Sequence, residues 1–403
     1  MELNQNNKRL VLVDAIRGFA LAGVCLVHMT EQYLGGPTPE GFMEGINGIP
    51  DMVVDGLIAF FIRGKFFALF SLLFGLSFSI QMASAAARGQ DFSWRFLWRA
   101  VLLFGIGYVH QLFYRGDILT IYALLTPFLI PFHKLNNQWL LGVAAICFLS
   151  VPRLIAYGLI GTDSLFGLES GFRTEAETAY FEAIDAGGLS EVMSLNGGYG
   201  MLFKMDFQLL AFGRFYLTFG YFLLGLWAGR MGLFKGLEQH LKFTNKIFKK
   251  SLLAMGLFLA LTAAVLITAP QPLDFTQWHH VIGINVMDWL NLAMTAAITT
   301  GIILLYRKAR WQKRLNFFSA YGRMALTNYL LQSLIGTFFF FNWGLGYLGQ
   351  VRSSFLVLIA LLLITLQCLF SQWWLKRFKY GPVEWLWRCG TYLKWQPFLK
   401  KNN

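Results

Sequence analysis

Leu12-Val13-Asp14-Ala15-Ile16-Arg17-Gly18-Phe19-Ala20-Leu21-Ala22-Gly23-Val24-Cys25-Leu26-Val27-His28-Met29 is an apolar run interrupted by Asp14, Arg17 and His28. Taken over 12–33, it is long enough to cross a bilayer as a helix, which needs about 20 residues. Arg17 and His28 are eleven positions apart, three helical turns. They therefore share one helix face and stand about 16 Å apart along its axis. Charged or titratable groups at such depth are costly, and their default reading is functional.

The rest of the chain agrees with a membrane setting. Of 403 residues, 56% are hydrophobic and 14% charged, with Phe 40 and Trp 13, and a mean hydropathy of +0.52. Soluble domains carry about 25% charged residues. The net charge of +13 is spread through short turns between apolar spans, the pattern of topogenic loops, and nucleic acid is excluded as a partner. Cys25, Cys147, Cys368 and Cys389 are widely spaced, so neither a metal site nor a disulfide framework is expected. Lys8 and Arg9 precede the first span without a small-residue cleavage site, the mark of an uncleaved first helix.

The fold expected is an all-α polytopic bundle of about ten transmembrane helices, near 12–33, 66–86, 96–114, 117–132, 137–160, 207–229, 251–269, 284–306, 323–347 and 353–375. Basic residues mark every second connection: Lys8 and Arg9, Arg88 and Arg95, His133 and Lys134, the lysines of 235–250, Arg307 to Arg314, and Lys376 to Lys379. Both termini then face the cytoplasm. The acidic stretch 161–206, with Asp163, Glu169, Glu177 and Glu191 against Arg173 and Lys204, reads as an external cap with some amphipathic helix. Residues 1–234 form an N-terminal half and 251–403 a C-terminal half with a cytoplasmic tail, joined by a solvated lysine-rich loop into one membrane domain.

The intramembrane polar groups cluster by depth. His28, His110, Gln111, Arg115 and Asp117 fall toward the outer side, with Arg63, Lys65, Arg214, Asp288, Asn328 and Gln332; Arg17 falls toward the inner side. Charge avoids lipid, so these groups are expected to converge on a polar cavity. Each has a plainer reading. Arg17 could snorkel, and His28 could bond a neighbouring helix. Arg99 reads as a topogenic edge charge, and Asp117 follows Gly116 as a helix N-cap. Arg63 and Lys65 could hold lipid phosphates, and Asn328 with Gln332 could join helices.

Five blocks of this sequence resemble the YeiB-like bacterial membrane proteins over nearly the whole chain. They are Asp14-Ala15-Ile16-Arg17-Gly18-Phe19, Lys65 to Gly75, Gly116-Asp117-Ile118-Leu119 preceded by His110, Gly322 to Tyr329, and Gly381-Pro382-Val383-Glu384-Trp385. That family looks like a branch of the transmembrane acyltransferases, whose O-acetylating members carry an arginine, ten residues and a histidine in the first span. Arg17 and His28 fit that pattern. The resemblance implies a bacterial inner-membrane acyltransferase that takes an acyl group, above all acetyl, from cytoplasmic acyl-coenzyme A (acetyl-CoA) without a metal. The acceptor would be external or lipid-linked, such as a glycan, with membrane lipids around the protein and a homodimer as one possible assembly.

In that reading His28, Arg17, His110 and Asp117 are catalytic, and Arg63, Lys65, Gln111, Arg115, Arg214, Asn328 and Gln332 contact substrate. The rival is a transporter or flippase for a small anionic or lipid-linked substrate. Against it, the sequence shows no inverted repeat and no matched pair of Gly/Pro-broken helices.

Overall fold

The computed structural model describes residues 2–36, 41–43, 45–161, 175–211, 213–234, 236–269 and 277–400. Every regular element among them is helical. The first half contains α1 (Glu2–Thr30), α2 (Ile49–Phe61), α3 (Lys65–Ala86), α4 (Ser93–Phe113), α5 (Leu119–Phe132), α6 (Asn137–Phe148) and α7 (Val151–Ile160). Short helices α8 (Glu175–Asp185), α9 (Leu189–Gly197) and α10 (Tyr199–Asp206) follow, then a π-helical turn (Phe207–Ala211) and α11 (Arg214–Arg230). The second half contains α12 (Leu241–Thr268), α13 (Trp278–Tyr306), α14 (Ala309–Asn316), α15 (Ser319–Arg323), α16 (Ala325–Phe340), α17 (Ser353–Arg377) and α18 (Pro382–Tyr392).

Among the described residues, six stretches are long and apolar enough to cross a membrane: Val11–Thr30, Ile49–Ala86, Ser93–Phe113, Leu241–Thr268, Trp278–Tyr306 and Ser353–Arg377. The number rises to eight if two bent pairs, α6 with α7 and α10 with α11, each count as one span. The α6–α7 bend of 44° falls at Ser150, whose φ is +54°. The expected spans 117–132 and 323–347 are helices of only 14 and 16 residues, shorter than the roughly 20 that a crossing needs. The lysine-rich stretch 235–250 is not the loop expected. Lys242, Lys246, Lys249 and Lys250 ride on the first turns of α12, as good helix formers do, and Lys235 lies outside the described residues. Within 161–206, α8 to α10 supply the expected helical cap; Asp163, Glu169 and Arg173 lie outside the described residues.

The chain folds around α1, which packs on α2 and α3 from its own half and on α14, α15, α16 and α17 from the other. In lipid, helices are held together by close packing more than by the hydrophobic effect. Glycine provides that closeness here. A Cβ on Gly18 of α1 would lie 2.1 Å from the Phe318 carbonyl oxygen, and one on Gly322 of α15 would lie 1.9 Å from that of Asp14. The α3–α11 pair repeats the device: a Cβ on Gly75 or Gly225 would come within 2.0 Å of a carbonyl on the facing helix. By contrast α12 packs chiefly along α13 and exposes Leu253 and Ile267, as a lipid-facing helix does.

Gly225→Leu should therefore separate α3 from α11 and cost at least the roughly 1–3 kcal/mol of overpacking. A lowered unfolding midpoint in detergent would record this. Gly142→Ala, on α6 with no atom within 4 Å of its Cβ position, should leave that midpoint unchanged.

Candidate functional site

One face of α1 opens on a cavity of about 610 Å³ whose wall includes Arg17, Val24, Val27, His28 and Glu31. Arg17 and Glu31 are fourteen residues apart, so the cavity follows α1 for about 21 Å. Arg17, Ser77, Arg99, Arg323, Glu384 and Trp387 line one end. Phe78 and Phe96 lie with that end, Phe66, Phe70, Phe74 and Tyr122 line the middle, and His28, Glu31, Arg63, Tyr114, Arg214 and Tyr329 the other end.

At the first end Arg17 is fixed from two sides. It donates to Asp14 Oδ1 at 2.9 Å and to Ser77 Oγ at 2.9 Å. The Ser77 hydroxyl in turn donates to the Leu73 carbonyl at 2.7 Å. An arginine held across α1 and α3 is not reaching for headgroups, so the snorkelling alternative does not describe it. Arg99, read as an edge charge, lies on the cavity wall with its guanidinium 4.1 Å from the Trp387 ring centre. Trp387 closes the contact by donating its indole N–H to the Arg99 carbonyl at 3.0 Å.

Glu384 joins α18 to α16 at the same end. Its carboxylate accepts from the backbone N–H of Leu326 at 2.8 Å and of Thr327 at 3.0 Å, and from the Thr327 hydroxyl. A carboxylate at a helix N-terminus satisfies otherwise orphaned donors. Burial pushes the Glu384 carboxyl above the usual carboxylate range, and the bonds from Thr327 and the backbone oppose that rise.

At the second end His28 stands among tyrosines, with ring centres 5.2 Å from Tyr114, 5.5 Å from Tyr33 and 6.4 Å from Tyr329. Its Nδ1 is buried without a hydrogen-bond partner. The ring is only half-buried although it sits deep in the bundle, so its open surface faces the cavity. His110 packs on the far side of the same tyrosines, 5.0 Å from Tyr329 and 6.0 Å from Tyr114.

Asp117 bonds His110 Nδ1 at 2.7 Å, which places a proton on Nδ1; the buried Nε2 has no hydrogen-bond partner among the described residues. Asp117 also accepts from the Leu119 and Thr120 backbone N–H groups at 3.1 and 2.9 Å, and from the Thr120 hydroxyl at 2.8 Å. Capping of α5 and pairing with histidine thus coexist in one carboxylate. Both groups lie behind the tyrosines and outside the cavity wall.

Other expected contacts resolve differently. Arg115 reaches the cavity, but it donates to Glu177 Oε1 at 2.8 Å and to the Leu34 carbonyl at 2.8 Å, and lies 3.7 Å over the Tyr180 ring. It fastens α8 to the bundle. Gln111 is fully buried, accepts from Lys204 and donates to the Asn196 carbonyl at 3.2 Å. Its place is structural, under α9 and α10. Lys65 is buried off the cavity and donates to the Ala59 carbonyl at 3.2 Å, at the break between α2 and α3.

Asn328 donates to Ser371 Oγ at 3.0 Å and to the Tyr321 carbonyl, and Gln332 donates to Gln367 Oε1 at 3.0 Å. This network joins α15, α16 and α17 away from the cavity, so the helix-joining reading describes both residues. Asp288 is ion-paired with Arg153 at 2.9 Å, between α13 and α7. Arg63 pairs with Glu31 at 2.8 Å. Arg214 lies within electrostatic reach of Glu31 and 5.5 Å from the Phe67 ring centre.

Sequence reasoning missed Glu31, Tyr114, Lys204, Arg323, Tyr329 and Glu384 as site residues. Glu31 was findable, since it lies three residues past His28 on the same helix face. Glu384 carries no local signal, because its partners lie 57 and 58 positions away in sequence.

The profile of a family described as "Protein of unknown function (DUF418)" matches residues 228–394. The uncharacterized protein YxaH of Bacillus subtilis (strain 168) is 31% identical over 412 residues, covering 98% of this chain and 97% of that protein. The chain belongs to the YeiB-like DUF418 family. The uncharacterized protein YeiB of Escherichia coli (strain K12) is 26% identical over 430 residues, covering 98% of this chain and all of that protein. An uncharacterized 39.9 kDa protein from the amylase 3′ region of Bacillus acidopullulyticus is 28% identical over 402 residues. The sequence blocks that first carried the YeiB-like resemblance meet in space: Gly18 on Gly322, Glu384 on Thr327, and His110 on Asp117.

Removing one side of the buried Arg115–Glu177 pair leaves a bare charge, at a cost of about 3–5 kcal/mol. Glu177→Ala should make 175–206 more sensitive to protease and lower the unfolding midpoint. Glu182→Ala, on the exposed side of α8, should change neither.

Proposed function

We propose that this protein is a membrane acyltransferase, passing an acyl group, acetyl in the first instance, from acyl-coenzyme A to an external or lipid-linked acceptor. The observation that carries the reading is a single cavity walled by a fixed arginine at one end and a histidine ring set among tyrosines at the other. The orientation that goes with it follows loop charge: ten spans, both termini cytoplasmic, Arg17 inward and His28 outward in a bacterial inner membrane.

Arg17, with Arg99 and Arg323, supplies the positive charge that donor phosphates need. The aromatic middle suits an uncharged linear arm, and the Arg17–His28 separation matches the reach of an extended pantetheine. His28 takes the proton from the acceptor hydroxyl as its oxygen attacks the thioester carbonyl carbon. Tyr329 is suited to hold the resulting oxyanion, because its oxygen accepts from the Ile118 N–H at 3.4 Å and its own hydrogen is left to donate. His28 then returns the proton to the departing thiolate as the C–S bond breaks. The ester and the free thiol complete the balance.

Asn can bond a neighbour but cannot take up the proton. In purified His28→Asn protein, transfer of labelled acetyl into an envelope glycan or lipid fraction should fall about 10²–10⁴-fold, with coenzyme binding retained. Arg17→Gln should instead weaken coenzyme binding. Full transfer by His28→Asn would remove its assigned role. Absence of coenzyme binding by the unmodified protein would favour a transporter.

A further inference from the structure

A second cavity, of about 170 Å³, lies beyond the His28 end of the first, with Thr30, Phe42, Asp55 and Ser353 in its wall. Among the described residues the two cavities share only Glu31 and Arg63. Those two side chains bond each other, Arg63 Nε to Glu31 Oε1 at 2.8 Å. The partition between the cavities is thus one ion pair.

We infer that the Glu31–Arg63 pair is a gate between the central cavity and an outer vestibule that receives a neutral, hydroxyl-rich group such as a sugar ring or polyol. Both charges have a second partner at hand. On the cavity side Arg214 lies within electrostatic reach of Glu31. On the vestibule side Asp55 lies within electrostatic reach of Arg63. Arg63 is half exposed in this pair, so parting it costs far less than parting a buried one. Here Glu31 can turn to Arg214 and Arg63 to Asp55, so the pair can part without stranding either.

The backbone favours movement of Arg63 over Glu31. Arg63 sits in the break between α2 and α3, just before Gly64 at φ +81°. Glu31 directly follows α1, with its backbone N–H bonded to the Val27 carbonyl at 2.9 Å as a continuation of the helix.

The vestibule's chemistry selects the ligand. Glu31 and Asp55 accept hydrogen bonds from hydroxyls, Ser353 and Thr30 supply hydroxyls, and Phe42 offers a ring face. Asp55 is held for this by Ser353 Oγ, which donates to it at 2.9 Å. Two carboxylates outnumber the one guanidinium of Arg63 on this wall, which disfavours an anionic ligand. The gate rests on the two cavities, the ion pair between them and the charges nearby; naming its ligand an acceptor rests on the acyltransferase reading.

Val27 lies on the central cavity wall one turn before Glu31. In a Cys389→Ser background, Val27→Cys should react slowly with a trimethylammonium methanethiosulfonate reagent added outside intact cells. Glu31→Gln and Arg63→Gln should each raise that rate at least tenfold. The exchanged pair, Glu31→Arg with Arg63→Glu, should restore the slow rate, which also controls for assembly. Unchanged rates in the single variants, or a fast rate in the exchanged pair, would overturn the gate.

For the ligand, methyl glucoside should slow labelling of Thr30→Cys at least threefold, and Asp55→Asn should abolish that protection. Equal or better protection by a methyl glucuronide would overturn the neutral class, as would none by methyl glucoside. Labelling does not require acyl transfer, so an inactive protein with an intact gate would count against the acyltransferase reading alone.

Discussion

Charge inside a hydrocarbon layer has to face protein, and α1 carries Asp14, Arg17, His28 and Glu31 along its length. That constraint arranges the bundle. Neighbouring elements supply Ser77, Arg63, Tyr114 and Tyr329 to the polar face. The small-residue face packs backbone to backbone on α15 through Gly18 and Gly322. One face is packed without room for a methyl group, and the other is left open as a cavity. A helix built this way belongs at the centre of the fold, which explains why α1 contacts helices from both halves.

The two ends of the cavity are closed by different parts of the chain. At the Arg17 end α18 reaches back through Glu384 and Trp387 to grip α16 and α4. At the His28 end α8 to α10 are fastened by Arg115–Glu177 and by Lys204, which bonds Gln111, Thr120 and the Asp117 carbonyl. Each closure uses buried, charge-assisted bonds between segments far apart in sequence. Such bonds fix geometry firmly, which a reaction at the cavity wall requires.

The parts of this structure legible in the sequence are those governed by local periodicity. Three helical turns put Arg17 and His28 on one face, and both line the cavity. Gly116-Asp117 signalled a helix start, and Asp117 caps α5. Apolar length identified the long helices; α5 and α16 are shorter than the spans expected there, and the single span expected over 137–160 is bent between α6 and α7. Groups whose roles depend on distant partners were misjudged. Lys65 and Gln111 are polar and deep in sequence, yet each is satisfied by neighbours that only the fold supplies, whereas Asn328 and Gln332 join helices as their plainer reading had it. Glu384 and Lys204 were overlooked for the same reason, since nothing within several residues reveals the helix each one secures.

The central claim is that one cavity joins Arg17 to His28 and holds an acyl donor between them. The most direct measurement is a cryo-electron microscopy map of the protein in lipid nanodiscs with a non-hydrolysable thioether analogue of acetyl-coenzyme A. The account requires density for the phosphates beside Arg17, Arg99 and Arg323, continuing past Phe70 and Phe74 to the acyl end at His28. An empty cavity at saturating analogue, or density confined to a site away from Arg17 and His28, would contradict it.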